Sequence, residues 1–177
     1  MAHIHTEPGQ HDHTVSIYLF RIGSHEPKVM LHLHKKIGSY AQFGGHIELH
    51  ETPWLTVIHE LEEETGYNIG QLQILQPHQR IRETTHFIVH PAPVIHSTMG
   101  YPGEGKHFHI DSAYAFITNE ASAQAPDEGE STDIRLFGRE EFISAKDVID
   151  PVTYDAALYI FDEILKSWEA VPTSEFK

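Results

Sequence analysis

Two hydrophobic periods alternate along the chain. Residues 14–22 (TVSIYLFRI) are β-branched and aromatic almost throughout, the pattern of a buried strand. A turn at 23–27 precedes a second strand at 28–33 and a short extended piece at 37–43. From residue 52 to 65 the period becomes helical. Trp54, Val57, Ile58 and Leu61 fall on one side and would face a core. Thr52 is placed to cap this helix, Pro53 sits in its first turn, and Gly66 is a natural stop. Extended segments return at 71–75, 84–90, 107–118 and 134–137, with a connection at 76–83. Residues 91–106 hold three of the ten prolines and three of the twelve glycines, so a long loop is expected there. A helical turn at 139–145 and an amphipathic helix at 153–170, carrying Ala157, Ile160, Phe161, Ile164, Leu165 and Trp168, close the pattern. Residues 1–13 read as a polar arm or a short edge segment, and 172–177 as a frayed tail. No repeat or linker divides the chain, so residues 1–177 are expected to form a single domain. Strands interrupted by one central helix and closed by another suit a layered α/β sandwich.

Composition narrows the function classes. A formal net charge of −14 argues against non-specific binding to nucleic acid or to an anionic membrane, both of which need a basic surface. It leaves a nucleotide substrate open, because a bound metal can supply the positive field. With no cysteine, disulfides and thiolate zinc sites are excluded, which fits a cytoplasmic protein. The N-terminus has no apolar stretch of the signal-peptide kind, and no run approaches the roughly 18 apolar residues of a membrane span. Histidine is unusually frequent, at 16 residues, and several come as His-x-His pairs: His3/His5, His11/His13, His32/His34 and His107/His109. On a strand each pair shares a face, so each is either a pair of ordinary imidazoles or the start of a transition-metal site.

The chemistry concentrates in one stretch. Glu60, Glu63 and Glu64 stand at i, i+3 and i+4 of the central helix, so their carboxylates share a face, which is expected to be exposed. Like charges at that spacing repel, and a hard divalent cation would relieve the repulsion. The run has a fixed preamble: Gly44 and Gly45, then Glu51 six residues after Gly45, then Glu60, Leu61, Glu63, Glu64, Gly66 and Tyr67. Residues 45–67 therefore resemble the Nudix box, with His59 where the box has arginine. The resemblance implies a Nudix-like α/β/α sandwich with a mixed sheet and a loop–helix–loop catalytic motif. It implies a metal-dependent hydrolase of a nucleoside diphosphate linked to another group, with Mg2+ (or Mn2+) as cofactor. It also implies metal ligation by Glu60, Glu63, Glu64 and the Gly45 carbonyl, with Glu60 and Glu63 among the catalytic groups. Gly44, Glu51, His59 and Gly66 take structural parts in the motif. Histidine offers fewer donors than arginine's fork, although acidic neighbours favour its protonated form. A non-catalytic nucleotide-binding module is thus the competing reading.

Outside the box, His107, His109 and Asp111 share one face of a predicted strand and read as substrate-facing, as a second metal site, or as a structural face. His46 follows Gly45 and is placed near the metal by adjacency. The acidic loop before residue 134 offers Glu130 or Glu128 as a further catalytic carboxylate, with Glu130 taken forward. The expected partner is a small nucleotide-type molecule, with a homodimer left open.

Overall fold

The protein was described from a computed structural model that covers residues 7–23, 26–100 and 107–176. Its eight-stranded sheet runs β3-β2-β1-β6-β4-β8, with β5 also on β6 and β7 also on β2. The strands are β1 (His11–Arg21), β2 (Lys28–His34), β3 (Ser39–Ala41), β4 (Gln73–Gln76), β5 (Ile95–Gly100), β6 (Phe108–Thr118), β7 (Ile134–Gly138) and β8 (Glu169–Pro172). β1 and β6 pair in parallel from His11↔Phe108 to Arg21↔Thr118, and every other strand pair is antiparallel. The sheet is therefore mixed, as expected. The parallel pair lies at its centre, where both faces are covered, which explains the unbroken apolar run at residues 17–20.

Each face carries its own core. Val15, Ile17, Leu19, Tyr114 and Phe116 pack against Trp54, Val57 and Leu61 of α1 (Pro53–Thr65). Tyr18, Phe20, Ala113 and Ala115 face the opposite way. They meet Phe142 of α2 (Arg139–Ser144) and Ala157 of α3 (Pro151–Tyr159), then Ile160, Phe161 and Ile164 from a π-helical stretch (Ile160–Ile164) that continues into α4 (Leu165–Ser167). Helix, sheet and helix thus form the three-layered α/β/α sandwich. Among the described residues no helix is long and apolar enough to cross a membrane.

Five expectations need correction. Residues 84–90 form no strand: they lack sheet partners, and Phe87 and Ile88 are exposed. The strand lies instead in the expected loop, where β5 pairs with β6 from Ile95↔Ala113 to Gly100↔Phe108. β5 alternates half-buried and exposed positions and carries few large apolar groups, so its composition hid it. The terminal helix stops at Ser167, and β8 follows, paired with β4 from Gln73↔Pro172 to Gln76↔Glu169. Nor does the tail fray. Thr173 donates from Oγ1 to the Ile69 carbonyl at 2.8 Å, and Phe176 meets the Trp54 ring with centroids 5.8 Å apart. At the other end, residues 11–13 of the expected arm belong to β1. His3 and His5 lie outside the described residues.

Candidate active site

The site is built from the segment before α1, from α1 itself, and from the loop that docks on the helix end. Residues 43–47 run along the first half of β1: the Val15 N–H donates to the Gly45 carbonyl at 2.9 Å and the Ile47 N–H to the His13 carbonyl at 2.9 Å. Gly44 holds φ 128°, and a Cβ there would stand 2.1 Å from the Val15 carbonyl oxygen, so only glycine allows this approach. α1 then opens on the Thr52 cap, which accepts from the Leu55 N–H at 3.3 Å. It ends at Gly66, whose φ is 70°. A Cβ on Gly66 would meet the Gln124 carbonyl oxygen at 2.1 Å, because the acidic loop docks there. The Asp127 N–H donates to the Glu63 carbonyl at 2.8 Å, fixing that loop on the helix.

This frame converges three carboxylates. Glu60, Glu63 and Glu64 all line one cleft of about 510 Å3, together with Glu130, Gly44 and Gly45. Glu60 and Glu64 are not exposed, contrary to expectation: they retain 5% and 8% of their accessible surface, because the cleft wall and residues 43–47 close over the helix face. Burial pushes the Glu60 carboxyl up to about 7, helped by Glu63 and Glu130. Burial likewise pushes Glu64 up to about 8, against the hydrogen bond it accepts from the Gly44 N–H at 2.8 Å. Among the described residues no lysine or arginine pairs with Glu60, Glu63 or Glu64. The nearest imidazole, His32, has Nδ1 3.9 Å from Glu64 and is lowered to about 4 by its burial, so it is neutral. Repelling carboxylates without a cationic partner are the donor set that a hard divalent ion fits. Gly45 lines the same cleft, and the hydrogen bond its carbonyl accepts from Val15 leaves a second lone pair.

The remaining candidates fall into place unevenly. Glu51 accepts from Thr56 Oγ1 at 2.7 Å and lies 2.5 Å from His59 Nδ1, so it ties the loop to the helix rather than facing the cleft. Burial raises its carboxyl, but these hydrogen bonds, with the His59 charge and a backbone hydrogen bond from Glu48, make the net shift downward. His59 turns to Glu51 and away from the clustered glutamates. Asp111 lies on the cleft wall, accepting from Thr14 Oγ1 at 2.7 Å and Ser16 Oγ at 3.1 Å. Burial raises it above the usual carboxylate range. His46 and His109 line the cleft, but His107 does not: it is 2% exposed and buried beside Asp12, which removes it as a substrate contact. Glu128 is exposed and off the cleft, whereas Glu130 lines it, its backbone carbonyl held by Lys35 Nζ at 3.1 Å. Sequence reading missed Lys35, Lys36 and Gln42, which also line the cleft. Two lysines at the end of β2 carry no motif. Only the tertiary arrangement that sets the end of β2 and the glycine pair on one cleft reveals them.

The profile of the NUDIX domain matches residues 10–156. Comparison with curated protein sequences gives no significant match. A hydrolase of the NUDIX family from Clostridium perfringens is 26% identical, with 85% of this chain and 95% of that one covered at a TM-score of 0.63. The Ap4A hydrolase of C. elegans is 17% identical over 87% of this chain and 98% of its own, with a TM-score of 0.59. The NUDIX domain of Shewanella oneidensis NrtR, solved with ADP ribose, is 17% identical over 87% and 85%, with a TM-score of 0.54.

Proposed function

The chain belongs to the Nudix family of hydrolases, and from that premise we propose that it hydrolyses a nucleoside diphosphate linked to another group, with Mg2+ or Mn2+ as cofactor. The observation that carries this reading is the set of Glu60, Glu63 and Glu64, the first and last of them buried and none with a cationic partner among the described residues, on the wall of a cleft of about 510 Å3. A divalent ion bound there would neutralise phosphate charge and lower the pKa of a coordinated water. Glu60, Glu64 and the Gly45 carbonyl would hold it, with Glu63 a further ligand or the group that takes the proton from water. Glu130 reaches the same cleft from the docked loop and is the remaining candidate for proton removal. Lys35 and Lys36 line the cleft and would face the phosphates that the carboxylates repel. His46 and Asp111 stand on the wall where the rest of the substrate would lie. The dinucleotide named for one relative and the ADP ribose bound by another support a nucleotide of this general kind.

The competing reading, a binding module without turnover, rested on His59. Its contact with Glu51 gives that position a structural task, which supports retained chemistry. Phosphate release across nucleoside triphosphates, ADP ribose, NADH, dinucleoside polyphosphates and nucleotide sugars, each with and without Mg2+, tests the proposal. Mg2+-dependent release from at least one is expected. Nucleotide binding without release from any of them would overturn it in favour of the binding module.

A further inference from the structure

The parallel pairing of β1 and β6 sets a second group of donors at the start of both strands, where His109 lines the cleft. Asp12 pairs in register with His109, so both side chains leave the same face of the sheet, and His107 joins them two residues earlier. One ligand atom from each of Asp12, His107 and His109 lies within 4.8 Å of the other two. Asp12 Oδ2 is 3.8 Å from His107 Nε2, and His107 Nε2 is 3.2 Å from His109 Nε2. Two ligands bound tetrahedrally to zinc stand about 3.4 Å apart, given metal–ligand distances of about 2.1 Å. Asp12 is 1% and His107 2% exposed, while His109 reaches the cleft. His46 Nε2 lies 3.8 Å from the same Asp12 oxygen, and its ring centroid is 5.0 Å from that of His109.

We propose that Asp12, His107 and His109 form a binding site for a divalent transition metal of the zinc class, separate from the glutamates of α1, with His46 nearest the fourth position. Two imidazoles and one carboxylate suit such an ion better than Mg2+, which prefers oxygen ligands and keeps its waters. The glutamate set has the opposite preference, so the two sites select different ions. An ion held here would join the start of β1 to the start of β6 and fix His109 against the cleft. The site does not depend on the proposed hydrolysis.

The test uses the full chain, stripped with a chelator and titrated with Co2+ and then Zn2+ in excess Mg2+. The wild type is expected to take up one equivalent of Co2+ with the visible bands of nitrogen ligation, and Zn2+ is expected to displace it. The double variant His107→Gln/His109→Gln should weaken Zn2+ binding at least about 100-fold, since even an outer-shell partner is worth about 10–100-fold. Should that variant misfold by circular dichroism, Asp12→Asn and His109→Gln alone carry the same expectation. Glu64→Gln should keep full Zn2+ affinity. Absence of tight Co2+ uptake by the wild type overturns the proposal, as does undiminished uptake by the folded variants or its loss in Glu64→Gln.

Discussion

At the scale of single residues, the site depends on what burial does to Glu64. Its carboxylate is nearly enclosed and accepts the Gly44 N–H, so it ionises only at raised pH unless a cation joins it. Glu64→Gln keeps shape and the Gly44 contact but removes the charge. Mg2+-dependent turnover should fall by about 100-fold or more, while the melting temperature in chelator is unchanged or higher. A variant with near-normal Mg2+-dependent turnover would remove Glu64 from the metal set. His59 poses a different question. Its side chain is 55% exposed and its partner is Glu51, at 2.5 Å. His59→Arg should retain turnover, because the guanidinium can reach the same carboxylate. His59→Ala should lower turnover several-fold yet cost only about 0.2–1 kcal/mol, the range for exposed pairs. Measured kcat beside thermal melts separates the two effects. Full turnover in His59→Ala would make the Glu51 contact dispensable.

At the scale of elements, α1 was legible because its signals are local: the Thr52 cap, Pro53, the 3.6-residue period of Trp54, Val57 and Leu61, and Gly66 at a positive φ. β5 and β8 were not legible. Each is short and takes its stability from a partner strand far away in sequence, so residues 95–100 read as loop and 169–172 as helix end and tail. The same division holds in the site. Glu60, Glu63 and Glu64 were readable from helical spacing. Asp12 was not, because its place beside His109 follows from parallel pairing across 96 intervening residues of chain, a register no local pattern encodes. Two substitutions test these elements. Gly66→Ala places a Cβ 2.1 Å from the Gln124 carbonyl oxygen at φ 70° and should destabilise by about 2 kcal/mol or more, lowering the melting temperature by about 4–8 °C. Ending the chain at Trp168 should lower it by more than about 5 °C, since β4 loses β8 and the core loses Val171. A truncated protein that melts with the full chain would return residues 169–176 to the status of a loose tail.

At the scale of the whole molecule, a formal charge of −14 surrounds a cleft that, on the proposed function, takes up another anion. The structure leaves that conflict concentrated in Glu60 and Glu64, and their titration makes it measurable. Both carboxyls rise from 4.5, the value expected unfolded, to about 7 and about 8 in the folded protein. Between these limits the folded state holds more protons than the unfolded one, so stability falls as pH rises. The contribution is fully present below about pH 4.5 and is lost as pH passes through 7 and 8. In chelator, melting temperature should therefore decline from about pH 5 to pH 8.5, against the usual trend for paired carboxylates, which stabilise as they ionise. Mg2+ favours the ionised pair and should reverse the decline. At tenfold excess over its dissociation constant it adds about 1.4 kcal/mol, or roughly 3–6 °C, at pH 8. The Mg2+ effect should be small at pH 5, where protons occupy the site. Glu64→Gln should flatten the pH decline and abolish most of the Mg2+ effect. Melting curves in chelator and in Mg2+ at pH 5 and pH 8, for both proteins, decide the matter. A Mg2+ shift of equal size at both pH values, or one that persists in Glu64→Gln, would place the ion elsewhere than between these carboxylates.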